Sequence, residues 1–259
     1  MSLLKVTNLG KSFGGVKAVG GISFELAAGE LLALIGPNGA GKSTIFNMVN
    51  GQLRADVGSI TLCGQELTGM APRDIWRLGV SRTFQIAETF LSLTVVENVQ
   101  MALLSRDKKL YSFFTRAVHY KRDEALALLE QVSMKPQADR ACSVLAYADV
   151  KRVELAIAMA NAPKLLLMDE PTAGMAPKER NELMALTKQL VTERNTAVLF
   201  TEHSMDVVFA YADRMIVLAR GRLIANGKPL EIRDDPKVQE VYFGTGKTFE
   251  KTPALKESA

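Results

Sequence analysis

Residues 36–44, with the sequence Gly-Pro-Asn-Gly-Ala-Gly-Lys-Ser-Thr, constrain this chain more than any other stretch. They follow the apolar run Leu31–Ile35 and precede a helix predicted to start near Lys42. A strand, a glycine loop and a helix start in this order distinguish a phosphate-binding loop from a chance match. The glycines let successive N–H groups face inward around an anion, and the helix N-terminus adds its positive dipole end. The stretch therefore predicts a nucleoside triphosphate site.

Two side chains of this loop are expected to contact the triphosphate region directly. Lys42 supplies a positive charge for the outer phosphates, and the hydroxyl of Ser43 supplies a ligand for Mg²⁺. All nine residues of the loop are assigned to the nucleotide site: Gly36, Pro37, Asn38, Gly39, Ala40, Gly41, Lys42, Ser43 and Thr44.

The composition is that of an ordinary soluble globular protein, with 47% hydrophobic and 23% charged residues among 259. No apolar run approaches the roughly 20 residues that span a bilayer, and residues 1–5 lack the apolar core of a signal peptide. The formal net charge of +4 permits an anionic ligand or a membrane-surface partner but does not argue for nucleic acid. We therefore expect a cytoplasmic protein with no nucleic-acid partner.

The order of strands and helices predicts an α/β fold. Residues 3–9 and 21–26 alternate like half-buried strands, residues 11–16 between them look like a turn, and residues 58–64 form a glycine-bounded strand. The later predicted elements are a buried strand in 163–170, a helix at 177–194, a strand at 196–201, a hairpin around 220–221 and two short helical pieces ending at Phe243. Early antiparallel strands followed by a buried strand, loop and helix predict a mixed sheet joined to a parallel α/β core.

A helical segment interrupts this pattern between residues 86 and 142. Residues 95–104 and 122–130 carry apolar side chains at helical spacing. Between them, residues 105–121 interleave five basic side chains with four aromatic ones. The segment predicts either a surface for lipid headgroups or a membrane protein, or an amphipathic hairpin that covers its own core. A nucleic-acid surface is disfavoured by the weak overall charge.

Two adjacent carboxylates, Asp169 and Glu170, end a buried strand. The carboxyl ends of parallel strands line the crevice in which α/β sheets bind ligands. Asp169 is placed to hold Mg²⁺ directly or through water, and Glu170 is placed to polarise an attacking water as general base. His203 ends the next strand in the same crevice, where a neutral imidazole would bridge the γ-phosphate and Glu170. The predicted catalytic residues are therefore Glu170 and His203.

Five segments in this order resemble the ATP-binding subunit of an ABC transporter over nearly the whole chain. They are the phosphate loop, Thr83-Phe84-Gln85, residues 145–149, residues 166–172 and Thr201-Glu202-His203. Within that family, residues 170–175, the basic–aromatic insert and the ending at 232–244 resemble the importers of branched-chain amino acids. The resemblance implies ATP hydrolysis with Mg²⁺ to energise transport. It also implies a P-loop NTPase core with an antiparallel β subdomain and an inserted helical subdomain.

The resemblance further implies the domain organisation, the partners and the location. Residues 1–85 would hold the β subdomain and the first part of the ATPase core, residues 86–144 the helical subdomain, residues 145–244 the signature helix and the rest of the core, and residues 245–259 a disordered tail. The implied partners are transmembrane permease subunits and a second ATPase subunit. The chain would be peripheral on the inner face of the cell membrane, which it contacts through the permease.

The resemblance also assigns further residues to the nucleotide. Phe13 would stack on the adenine, and Gln85 would touch Mg²⁺ or the water and mark the hinge to the helical subdomain. The implied metal ligands are thus Ser43, Gln85 and Asp169. Residues 173–175 correspond to the loop that crosses to the partner subunit. The segment that would meet the partner's γ-phosphate through free helical N–H groups is Leu145, Ala146, Tyr147, Ala148 and Asp149.

This segment departs from the family pattern at three positions. The usual serine is Ala146, the second glycine is Ala148, and the following glutamine-like position is Val150. Backbone donors survive the alanine changes, but a hydroxyl contact to the γ-phosphate is lost, at a cost of about 1–3 kcal/mol. We therefore favour a heterodimer over a homodimer, and expect the site that uses Ala146 to be the weaker one.

Three classes of function are open from the sequence. The first is the ATPase of an importer, either for branched-chain amino acids or for urea or amides, with a lipid exporter as a related case. The second is a soluble ABC-type protein acting on nucleic acid or ribosomes, which usually has two ATPase halves or a long coiled-coil insertion that this chain lacks. The third is a nucleotide-gated interaction module with negligible hydrolysis, suggested by Ala146 and Ala148.

Overall fold

The computed structural model describes residues 2–83, 89–109 and 119–243. The strands within these ranges are β1 (Ser2–Phe13), β2 (Val16–Ala27), β3 (Leu31–Ile35), β4 (Val57–Leu62), β5 (Gln65–Glu66), β6 (Val80–Thr83), β7 (Leu165–Asp169), β8 (Ala197–Thr201), β9 (Arg214–Ala219) and β10 (Arg222–Gly227). The helices are α1 (Lys42–Val49), α2 (Pro72–Arg77), α3 (Val95–Arg106), α4 (Arg122–Gln131), α5 (Tyr147–Met159), α6 (Pro177–Arg194), α7 (Met205–Tyr211), α8 (Pro229–Arg233) and α9 (Pro236–Phe243).

The strands form two sheets of different character. The first is antiparallel, with the order β2-β1-β4-β5, and the second has the order β10-β9-β3-β8-β7-β6. In the second sheet β6, β7, β8, β3 and β9 run parallel, and β10 pairs antiparallel with β9 at the edge. The predicted α/β fold, with antiparallel strands joined to a parallel core, is confirmed. The division of the chain into four regions stays a prediction.

Strand β3 lies between two hydrophobic layers. All five of its residues are buried, as expected for a parallel strand covered on both faces. Leu32 and Leu34 pack with α1 and the antiparallel sheet, whereas Leu31, Ala33 and Ile35 pack with helices on the other face. Because β8 and β9 flank β3 and β7 follows β8, the carboxyl ends of these parallel strands lie along one edge of the sheet.

Most of the predicted elements occur, and the differences have local causes. The helix at 177–194 and the hairpin around Gly221 match α6 and β9–β10. The turn predicted within residues 11–16 is shorter than expected: β1 continues to Phe13, and Gly14 and Gly15, both with positive φ, turn the chain. Strand β6 and helices α2 and α7 carried no periodic signal long enough to predict them.

Helices α3, α4 and α5 form a packed group joined by ion pairs. Arg106 Nη1 donates to Glu124 at 2.7 Å and to the carbonyl oxygen of Ala160 at 2.9 Å, which links the three helices. Lys121 Nζ lies 2.7 Å from Asp107 and 3.2 Å from Glu124. Two basic residues of the basic–aromatic insert therefore serve its own packing. Residues 110–118, which include most of its aromatic side chains, lie outside the described residues.

Within the described residues, no helix has both the length and the apolar character that crossing a membrane requires.

We predict that Asp107→Asn lowers the free energy of unfolding by about 1–2 kcal/mol at neutral pH, because a charge-assisted, partly exposed network is lost. Hydrogen bonds from Arg106, Lys121 and Tyr120 lower the pKa of Asp107 below its ordinary value of 3.8. A lowered folded-state pKa stabilises the fold above the unfolded pKa, and this contribution disappears as the pH falls through the folded-state pKa. Denaturant titrations should therefore show the difference between variant and wild type shrinking below about pH 4.

The matched control is Glu130→Gln on α4, whose exposed pair with Lys135 should change stability by no more than about 0.5 kcal/mol. Equal effects of the two substitutions at neutral pH would contradict the prediction.

Candidate nucleotide-binding site

The phosphate loop joins β3 to α1, and two of its glycines are required by close backbone contacts. Gly36, Gly39 and Gly41 have positive φ angles of 153°, 78° and 107°. A Cβ added at Gly36 would clash with the carbonyl oxygen of Leu218 on β9, and one at Gly41 would lie 2.6 Å from that of Ala18 on β2. The strands around the loop therefore leave room for backbone only.

Hydrogen bonds from the β9–β10 turn hold the same loop. The N–H of Gly221 donates to the carbonyl oxygen of Ala40 at 3.1 Å, and the N–H of Gly20 on β2 donates to Gly221 at 2.8 Å. Helix α1 begins at Lys42, and its first N–H groups have no carbonyl partner within their own helix. These donors and the dipole of α1 make the loop an anion site.

Lys42 is buried against the loop, with 8% of its surface exposed. Its Nζ donates to the carbonyl oxygens of Gly36 at 2.6 Å and Pro37 at 3.2 Å. Burial lowers the pKa of Lys42, and the charges of Glu170 and Asp169 act in the opposite direction. The ammonium group is thus anchored at the base of the loop, within the electrostatic reach of both acids.

Asp169 is held on both carboxylate oxygens at the end of β7. Its Oδ1 accepts from Thr201 Oγ1 at 2.8 Å, and its Oδ2 accepts from Arg82 Nη2 at 3.0 Å. Arg82 also donates to Asn47 on α1 at 2.7 Å and to Gln52 at 2.9 Å. Sequence reasoning missed Arg82, whose only signal is its place in β6 next to Thr83-Phe84-Gln85. Residues 84–88, and with them the predicted ligand Gln85, lie outside the described residues.

Glu170 and His203 are brought together although they end different strands. His203 Nε2 lies 2.9 Å from Glu170 Oε1. The backbone of Glu170 is left-handed, with φ 48°, and its N–H donates to Thr201 Oγ1 at 3.1 Å. A side chain in this conformation costs about 1–3 kcal/mol and persists only where its surroundings impose it. The turn directs the Glu170 carboxylate away from Asp169's contacts and towards His203.

A second residue that the sequence analysis missed is Glu202, which is 5% exposed. Its Oε1 accepts from the backbone N–H of Thr172 at 2.8 Å and from its hydroxyl at 2.7 Å. Its Oε2 accepts from the backbone N–H of His203 at 3.2 Å. Glu202 therefore connects the turn that follows Glu170 with the backbone that carries His203.

A cleft of about 320 Å³ gathers several of the predicted site residues. Phe13 is 49% exposed, with the ammonium of Lys11 5.7 Å from its ring centre, so one aromatic ring is open at the edge of the cleft. The lining residues are Phe13, Ala18, Asn38, Gly39, Ala40, Gly41, Lys42, Ser43, Thr44 and Glu170.

Residues 145–149 do not line this cleft of their own chain. Helix α5 begins at Tyr147, and Ala146 is its extended N-cap residue. Alanine provides no side-chain cap, and Asp149 places a carboxylate in the first turn. The helix therefore presents backbone donors with a negative charge beside them.

The donor set fits Mg²⁺, which takes one or two protein oxygens together with phosphates and waters. Ser43 is exposed at the loop, and Asp169 supplies a carboxylate. Among the described residues, no group of three or more His, Cys, Asp or Glu side chains could hold a metal ion by itself. A hard cation shared with a bound triphosphate matches these residues, whereas an all-protein metal cage does not.

Comparisons with known proteins give the family. Residues 19–173 match the ABC transporter family, and residues 222–248 match the branched-chain amino acid ATP-binding cassette transporter family. The chain is 41% identical over 249 residues to the high-affinity branched-chain amino acid transport ATP-binding protein LivG of Salmonella typhimurium strain LT2, covering 93% of this chain and 98% of LivG. It is 37% identical over 252 residues to the corresponding protein BraF of Pseudomonas aeruginosa, with 93% and 98% covered.

A crystal structure of the ADP conformation of an ATP-binding cassette of an ABC transporter superposes with a TM-score of 0.84 and 32% identity. The match covers 94% of this chain and 99% of the other. The phosphate loop, the paired acids and the neighbouring histidine thus lie in a chain of which 93–94% aligns with ABC transporter ATP-binding proteins. The chain belongs to the ABC transporter family.

Proposed function

We propose that this chain hydrolyses ATP to energise an importer of branched-chain amino acids, at the cytoplasmic face of the membrane. The main support for a hydrolytic role is the contact between Glu170 and His203 beside the phosphate-loop cleft. The proposed substrate class is supported by the names of LivG and BraF, which align over nearly their full length with this chain.

The proposed roles at the triphosphate follow from charge and position. The N–H groups of the loop and α1 bind the phosphate oxygens, and Lys42 neutralises part of their charge. Ser43 and Asp169 would hold Mg²⁺, which when bound neutralises further charge on the phosphates. Asp169 is already fixed by Arg82 and Thr201, so a contact through an intervening water suits its geometry.

Glu170 is the proposed general base. Its carboxylate borders the cleft, and the left-handed backbone fixes the direction in which it points. His203 Nε2 lies 2.9 Å from Oε1, and in the tautomer that donates from Nε2 it would orient the carboxylate for accepting a proton from water. A base held in position needs no reorganisation when the water attacks, which is the main contribution that a protein makes to this reaction.

The site is incomplete within one chain, and we propose that a second ATPase subunit completes it. Residues 145–149 do not line the chain's own cleft, and the first backbone N–H groups of α5 can donate to an anion on another subunit. Ala146 lacks a hydroxyl for that anion, and the Asp149 carboxylate repels it. A partner with a stronger segment would compensate, which favours two different subunits over two identical ones.

An exposed apolar patch is the proposed contact for the permease. Phe90, Leu91 and Val144 are 58%, 57% and 60% exposed. They belong to one surface, because the N–H of Ser143 donates to the carbonyl oxygen of Leu91 at 3.1 Å. The buried Asn98 holds this surface in place through both the N–H and the carbonyl oxygen of Phe90. A preformed patch of this kind marks a protein contact.

Glu170→Gln is predicted to abolish ATP turnover while ATP binding is retained, because the amide keeps the shape of the side chain and cannot act as a base. Since the bound ATP is not consumed, the variant should accumulate as an ATP-bound dimer, measured by phosphate release together with light scattering. Glu193→Gln on the exposed side of α6 is the control and should behave as wild type. Turnover at the wild-type rate in Glu170→Gln would refute the assignment of the base.

Unequal ATP sites are predicted in the dimer. Disabling the site that uses this chain's Ala146 segment should slow hydrolysis less than disabling the other site, because the lost hydroxyl weakens phosphate binding by about 1–3 kcal/mol. The measurement is steady-state hydrolysis with the general base replaced in one subunit at a time. If both replacements slow hydrolysis equally, the sites are equivalent and the proposal fails.

The substrate assignment predicts which proteins copurify from native membranes and what they respond to. A pull-down with this chain should recover permease subunits, and after reconstitution in vesicles with the matching binding protein, leucine, isoleucine or valine should stimulate ATP hydrolysis. If urea or an amide stimulates hydrolysis instead, or if a lipid-exporting assembly is recovered, the proposed substrate is wrong. The ATPase role would still hold. Recovery of RNA would contradict both.

A further inference from the structure

Arg180 on α6 joins two segments that each lie close in sequence to a predicted catalytic residue. Its Nε donates to the carbonyl oxygen of Met175 at 2.8 Å, and its Nη1 donates to Ser204 Oγ at 2.7 Å. Met175 lies in the turns that follow Glu170, and Ser204 directly follows His203. Because the guanidinium is planar and rigid, the two bonds fix the direction as well as the distance between these segments.

The Met175 carbonyl is connected to Glu170 by two overlapping turns. The N–H of Ala173 donates to the carbonyl oxygen of Glu170 at 3.1 Å, and the N–H of Met175 donates to that of Thr172 at 3.2 Å. The Met175 side chain is buried in the larger hydrophobic cluster. Turns closed in this way leave the chain little freedom, so a contact that fixes the Met175 carbonyl also restrains the backbone of Glu170.

Ser204 uses its hydroxyl for a contact outside its own helix. It is the N-cap residue of α7, a position at which serine ordinarily accepts a hydrogen bond from one of the first N–H groups of the helix. Here the hydroxyl makes no such bond to α7 and accepts from Arg180 instead. Residues that depart from a favourable local role in this way are expected at functional sites.

His203 lies between two residues that are both tied to the turns after Glu170. On one side, Glu202 accepts from the N–H of Thr172 at 2.8 Å and from the N–H of His203 at 3.2 Å. On the other side, Ser204 is held by the guanidinium. The imidazole itself is 53% exposed, so packing contributes little to its orientation. Its position therefore depends on the backbone at each side.

We infer that Arg180 is a positioning residue that keeps His203 in contact with Glu170. The inference rests on the proposed hydrolytic function, because the pair that it orients is the proposed catalytic pair. Arg180 does not line the nucleotide cleft, so it acts on the reaction through Met175 and Ser204. Without these bonds, the imidazole spends less time within hydrogen-bonding distance of Glu170. Turnover then falls by the lost fraction, whereas ATP binding at the phosphate loop is unchanged.

The test removes each half of the contact in turn. Ser204→Ala deletes only the accepting hydroxyl, and Arg180→Met keeps an unbranched apolar stem and removes the donors. For each variant we expect the kcat of the assembled transporter to fall about three- to tenfold, with the KM for ATP changed less than about twofold. The double variant should have the kcat of Arg180→Met alone, because removing the hydroxyl has no further effect once its donor is gone.

Ser204→Thr is the matched control, since it retains the hydroxyl and should keep at least about half of the wild-type kcat. Arg194→Lys controls for loss of a guanidinium from α6, because this exposed arginine in the last turn of the helix donates to Gln131. It should behave as wild type. Wild-type kcat in both Ser204→Ala and Arg180→Met, or losses that multiply in the double variant, would overturn the inference.

A measurement without turnover separates this inference from the proposed function. The chain has two histidines, so NMR of a His119→Gln chain identifies the ring signals of His203. In that chain Glu170→Gln should shift these signals, and it should shift them less than half as much once Ser204 is replaced by alanine. Equal shifts with and without the Ser204 hydroxyl would overturn the inference. If the wild-type transporter hydrolyses no ATP while the signals behave as expected, the proposed function fails and the positioning role stands.

Discussion

The close approach of β2 and β9 to the phosphate loop is the constraint on which the site depends. A loop that binds phosphate with N–H groups has few side chains with which to fix its own shape, so its shape must be imposed by neighbours. The carbonyl oxygens of Ala18 and Leu218 press against Gly41 and Gly36 where any Cβ would collide with them. Strands that carry no chemistry of their own are therefore part of the nucleotide site.

Asp169 and Glu170 are adjacent in the sequence, but their carboxylates lie in different surroundings. Asp169 still belongs to the strand, where Arg82 and Thr201 occupy both of its carboxylate oxygens. One residue later, the left-handed backbone of Glu170 redirects the chain, and its carboxylate meets His203 at the border of the cleft. Neighbours along the chain thus acquire different surroundings, which suits a charge-holding role for one and a proton-accepting role for the other.

The sequence predicted the parts of the site that depend on local pattern. The phosphate loop, the acids at the end of β7 and the histidine after β8 each follow a short apolar run, so periodicity located them. Arg82 and Glu202 were not predicted because each bonds to a partner distant in the sequence: Arg82 and Asp169 are 87 positions apart, and Glu202 and Thr172 are 30 positions apart. The neighbourhood of Arg82 carries no apolar signal, since three of the four residues of β6 are polar.

The burial of β3 on both faces has a thermodynamic consequence. Its five residues divide between two hydrophobic layers, so the strand from which the phosphate loop emerges opens only when both layers are disrupted. The start of the loop is thereby anchored to both hydrophobic layers. Because this backbone is already ordered, binding of an anion there costs little conformational entropy. More of the binding free energy can then stabilise conformational changes in other segments.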